Sequence, residues 1–142
     1  MVKKISAILI FITILLSSIP AYAQGSPCAE IFDTRQKSVL KAVQVNSEIY
    51  DMVAGWVRSI DNFYGRISPV AIDGYKVRIP LDPPVKLNKK SLSGNISEVY
   101  IVVPPDRQPF FIIYEDRDKP SFFKFHGNID SLSKALEFKL RN

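Results

Sequence analysis

One histidine, one cysteine and 14 acidic side chains are the first groups in this chain to consider for acid, base, nucleophile or metal-ligand roles. His126 alternates with Lys124 and Phe122 on a predicted strand, opposite Phe123 and Phe125. A single histidine cannot build a metal site, and Cys28 lies far off in sequence with no supporting spacing. Glu115, Asp116, Asp118 and Asp130 are its nearest acids, and they become partners only if the fold brings them together. His126 therefore enters as a candidate ligand- or partner-binding residue, and no residue is assigned as catalytic.

The spacing Ser-x-x-Lys, used by some serine acylases, occurs at Ser38 and Lys41, at Ser121 and Lys124, and at Ser131 and Lys134. That chemistry needs both side chains on one helical face. On a strand, an offset of three points them to opposite faces. Three matches in so short a chain make the pattern noise. The cluster Glu115, Asp116 and Asp118 lacks the glycine and distal glutamate of a calcium loop, and with Arg117 and Lys119 it reads as a solvated turn. A carboxylate pair for glycoside hydrolysis depends on a separation in space that spacing does not give. No metal or cofactor is predicted.

Lys86, Lys89 and Lys90 form the densest basic group, with Lys76 and Arg78 upstream. They suit an anionic contact, either an acidic partner or weakly the surface of an anionic membrane. Aromatic residues do not interleave with these lysines, and no glycine-rich phosphate loop is present, so nucleic acid is not an expected partner. Cys28 falls at a predicted helix start, where a thiol's pKa is lowered. Being the single cysteine, it suits a redox role or an intermolecular disulfide, never an internal one.

The elements that must position these groups begin after an export signal. Lys3 and Lys4, the apolar run 5–19, Pro20 and the small residues of Ala21-Tyr22-Ala23 form a cleavable secretory signal over residues 1–23. Gln24 is the expected first mature residue. The apolar run is short of the roughly 20 residues a membrane span needs, so the mature chain is expected to have no integral span. The residues before Cys28 (Gly25, Ser26 and Pro27) fit a lipidation site poorly. The short basic leader points to a bacterial exporter and a periplasmic or extracellular address. Without the signal, 17 basic residues face 14 acidic ones, a net charge of about +3. Residues 24–142 suit one domain with one core.

Ser26 and Pro27 read as the start of one long amphipathic helix reaching about Asn62. Phe32, Val39, Val43, Tyr50, Val53, Val57 and Ile60 form its stripe. Asn46 lies inside that stripe, which leaves open a coiled coil with Asn46 setting the register. A period of two follows at Tyr75, Val77 and Ile79, interrupted by Pro80, Pro83 and Pro84. The stretch 86–95 reads as a polar loop. Strands are then predicted at 96–103, 110–115 and 121–126, forming an antiparallel meander. A short C-terminal helix follows, capped by Asn128 or Asp130, with Ile129, Leu132, Leu136 and Leu140 buried. The predicted class is therefore α+β: a long N-terminal amphipathic helix, an antiparallel sheet of about four strands and a short C-terminal helix. Its general layout resembles cystatin-like and NTF2-like sheets, an analogy of architecture that carries no function.

Val99, Ile101 and Val103 point to one face of the sheet and Tyr100 and Val102 to the other, so both faces of the central hairpin need a cover. If both helices lie on one side, the other side is a surface for a partner or ligand. The expected function is an exported, non-enzymatic binding or accessory protein that contacts a protein partner or an apolar ligand through a sheet face. The alternative is a small exported hydrolase using scattered carboxylates and His126.

Overall fold

A computed structural model describes residues 27–61, 63–65, 72–116 and 119–141. The export signal, Gln24 and Ser26 lie outside the described residues, as do Arg117, Asp118 and the side chain of Asp116.

The long N-terminal helix is not formed. In its place stand strand β1 (Cys28–Asp33), strand β2 (Ser38–Gln44) and a 12-residue helix α1 (Ser47–Arg58). Phe32, Val39 and Val43 satisfy helical spacing, but they belong to a hairpin. Asp33 turns the chain: its Oδ1 accepts from the backbone N–H of Arg35 at 2.8 Å and of Gln36 at 3.4 Å. Such a side-chain turn competes directly with helical hydrogen bonding. Lys37 completes the reversal with a φ of 53°. Asn46 is no register-setting coiled-coil residue either. Its side chain accepts from the Ile49 N–H at 2.9 Å, capping α1. The amphipathic logic holds only within the true helix, where Ile49, Val53, Ala54 and Val57 are buried.

The remaining elements are β3 (Phe63–Gly65), β4 (Tyr75–Asn88), β5 (Ser93–Val103), β6 (Phe110–Asp116), β7 (Lys119–Lys124) and helix α2 (Ile129–Ala135). All strands are antiparallel in one sheet of order β2-β1-β4-β5-β6-β7-β3, in which β3 is a three-residue edge. Among the described residues the protein is thus a sheet with two short helices, and the layout analogy with cystatin-like and NTF2-like sheets fails at its first helix.

β4 continues past Pro80, where the sequence predicts an interruption. Pro80 opposes Glu98, the register then shifts, and pairing resumes at Val85 opposite Ile96. Prolines 83 and 84 fall within that irregularity, so their missing N–H groups cost the ladder nothing. The stretch 86–95 is no loop. It is the end of β4, a tight turn closed by the Lys89 N–H on the Leu92 carbonyl (3.0 Å), and the start of β5.

Both helices cover one face of the sheet. Ile49, Val53 and Val57 of α1, Leu132 of α2 and Leu136 at its C-terminal cap join Ile31, Val77, Ile101, Phe111 and Phe123 in one core. Trp56 meets Phe125 edge-on at 5.0 Å, and Phe125 meets Phe111 at 5.1 Å, which ties α1 to the end of β7. Asn128 caps α2, accepting from the Ser131 N–H at 3.1 Å. A second, smaller cluster sits on the opposite face: Val102, Phe110, Ile112 and Phe122, flanked by Ile72 and Tyr100.

Candidate functional site

The face without helices divides in two. Its apolar half is the Val102, Phe110, Ile112 and Phe122 cluster, whose members are at most 8% exposed and so offer little to a ligand. Its other half is a polar ladder across β1, β4 and β5. Cross-strand register places Glu30 opposite Arg78 and Arg78 opposite Tyr100. Arg78 Nε donates to Glu98 Oε2 at 2.9 Å, and its guanidinium stands 4.0 Å from Glu30. Burial works against the Arg78 charge, but the hydrogen bond and charge of Glu98, helped by Glu30, outweigh it and raise the pKa. The Tyr100 hydroxyl donates to Glu98 Oε1 at 3.4 Å. Burial first, and Glu98 second, push Tyr100 up from its ordinary value. Lys76 lies 4.6 Å from the centre of the Tyr100 ring, and burial lowers its pKa.

β5 and β6 stay together for only three residue pairs, from Val102 opposite Phe110 to Tyr100 opposite Ile112. Beyond Tyr100 the two strands part. β5 continues with β4 alone, and β6 continues with β7 alone. The gap between them is an open groove of about 610 Å³, walled by residues 95–98 and 113–115 and by Tyr100. Tyr114 stands at its mouth, 39% exposed and edge-on to Tyr100 at 5.6 Å. Among the described residues no lysine or arginine lines it. Glu115 is exposed, and among the described residues it has no hydrogen-bonding or ionic partner. At the other end of β5 a smaller cavity of about 180 Å³ gathers Arg35, Lys139 and Arg141 beside Asp33.

The residues singled out by sequence do not converge on this groove. Lys86 and Lys90 are exposed at the β4–β5 turn. Lys89 is turned inward, its ammonium donating to the Arg58 and Ile60 carbonyls at 2.6 Å each, so it closes the C-terminal end of α1. His126 is exposed just beyond β7 and not on a strand, and among the described residues it has no hydrogen-bonding or ionic partner. Cys28 is exposed as the first residue of β1, so the helix start invoked for its thiol does not exist. Among the described residues no polar or charged side chain is fully buried, and no group of His, Cys, Asp or Glu is placed to hold a metal. A desolvated acid or base of the kind that tunes hydrolytic chemistry is therefore not seen there. Nor is any helix among them long and apolar enough to cross a membrane.

Sequence reasoning missed Glu98, Tyr100, Tyr114 and Glu115 as a set. The alternation of β5 put Tyr100 on the second face, but the parting of β5 from β6 leaves no mark in residue types. No protein-family model, curated protein or solved structure matches the chain.

Proposed function

We propose that the protein is an exported, non-enzymatic binding protein that contacts a protein partner through the sheet face opposite its helices. The observation that carries this reading is the unequal cover of the two faces. Both helices lie on one, while the polar half of the other holds a half-exposed array of Glu30, Arg78, Glu98, Tyr100 and Tyr114. Aromatic and arginine side chains on a rigid sheet suit a protein interface. The apolar residues of that face are buried, which favours a protein partner over an apolar ligand. Export rests on the leader of residues 1–23.

Site-specific photo-crosslinking in cells of the source organism tests the reading. A photoreactive residue at Glu30 or Tyr114 on the open face is compared with one at Asp51 on the outer side of α1. A crosslinked partner of defined mass from the open-face positions, and none from Asp51, is the expected result. Crosslinking from Asp51 alone overturns it.

A further inference from the structure

We propose that the gap between β5 and β6 is a docking slot for an extended segment of a partner polypeptide that carries a basic residue. This deepens the binding reading above and rests on it.

The first ground is the backbone. Along residues 95–99, β5 is paired on its β4 side only: Asn95 faces Lys86, Ile96 faces Val85, Glu98 faces Pro80 and Val99 faces Ile79. Its other side, toward β6, has no strand partner beyond Tyr100. β6 is in the same condition at Ile113 and Tyr114, paired only toward β7, and its register shifts at Glu115. Two strand edges thus face one another across open space in the middle of a sheet. Such edges carry N–H and C=O groups that pair readily with an added extended chain.

The second ground is charge. Among the described residues the groove walls hold two carboxylates and no cation. Glu98 is already bound to Arg78 at 2.9 Å. Among the described residues Glu115 has no such counter-charge, so it is the group left to receive a lysine or arginine from the incoming segment.

The occupant is therefore a strand-forming peptide with one basic residue, hydrogen-bonded to β5 and ion-paired to Glu115. A free amine or a metal ion would use the charge and ignore the strand edges.

The probe is a blocked heptapeptide of alternating valine and threonine with a central lysine, titrated into the ¹⁵N-labelled mature chain. Amide shifts concentrated at residues 95–99 and 113–115 are expected. Replacing the central lysine with glutamate, or making Glu115→Gln in the protein, should weaken binding about fivefold, the upper range of an exposed ion pair. N-methylating alternate peptide residues should abolish binding without touching the protein. The slot is overturned if these amides do not move, if the lysine and glutamate peptides bind alike, or if N-methylation has no effect. It is equally overturned if blocked lysine alone binds as well as the peptide. Crosslinking from Glu30 with no response to the peptide would leave the open-face reading standing and remove only the slot.

Discussion

The ammonium of Lys89 lies 2.6 Å from the carbonyl oxygen of Arg58, thirty-one residues earlier in the chain, and the same distance from that of Ile60. The last turn of a helix leaves carbonyls without donors, and a cation placed there meets both the hydrogen-bonding need and the negative end of the helix dipole. The turn between β4 and β5 is thereby fastened to the end of α1.

Lys89→Met is expected to destabilise the protein by about 1 kcal/mol, the usual scale for such a contact. Lys86→Met and Lys90→Met, both at exposed positions, should stay within about 0.5 kcal/mol of the parent. Urea unfolding of the three variants distinguishes a fastening lysine from a general basic patch.

Gly127→Ala should be costly for a reason of space. A methyl group there would sit 2.5 Å from the Trp56 ring and 2.6 Å from Phe125, inside the edge-on pair those rings make. Overpacking of this kind costs about 1–3 kcal/mol. Trp56 is the sole tryptophan, so its fluorescence reports the disturbance directly, with a shifted emission maximum and a lowered unfolding midpoint.

Gly74→Ala should be worse still. Gly74 has a φ of 132°, and a Cβ there would overlap the carbonyl oxygen of Val103. The backbone cannot yield freely, because Thr34 Oγ1 accepts from the Gly74 N–H at 3.0 Å and the Thr34 N–H donates to the Gly74 carbonyl at 3.1 Å. A loss above about 2 kcal/mol is expected, since strain and overlap add. Thermal unfolding by circular dichroism measures it.

Alkaline titration reads the polar ladder. Tyr100 in the folded chain holds its proton above the ordinary value of 10.0, because burial and Glu98 oppose the phenolate. Above that pH the unfolded chain gives up this proton first, so the folded state binds more protons and stability falls as pH rises. Lys76 works in the opposite sense, since its folded pKa is lowered from 10.5. Tyr100→Phe should therefore lose less stability than the parent between about pH 9 and about pH 11, Lys76 being present in both. Absorbance near 295 nm should also lose one tyrosine that ionises above the ordinary value.

The start of β4, residues 96–103 of β5, and β6 and β7 are legible because alternating β-branched and aromatic residues bounded by turn signals admit few other readings, whereas the end of β4 and the start of β5 read as a polar loop. Residues 28–46 are misread as helix because Phe32, Val39 and Val43, seven and four positions apart, fit a period of 3.6 although they lie on two different strands. Asp33 and Asn46 decide the matter: one ends a strand with a side-chain turn, the other caps a helix. Both signals are polar and local, and a stripe drawn through apolar residues alone passes over them. Lys89 looked like a surface charge because its partners are backbone oxygens, which every residue has. The groove was not legible, since it depends on where the β5–β6 pairing stops.

The strand order has a consequence for the time at which the parts can come together. β2 and β3 lie at the two outer margins of the sheet although only α1 and its flanks separate them in sequence. Those margins stand roughly 29 Å apart at ordinary strand spacing, while α1 is only about 18 Å long. Four of the five strands that fill that width, β4 through β7, are encoded after the stretch 38–65. A chain emerging from the ribosome therefore presents α1 with only the β1–β2 hairpin of its sheet until the meander has followed. Nascent chains arrested with Tyr75 still inside the exit tunnel should show no amide protection in α1, whereas those released past α2 should show it in full.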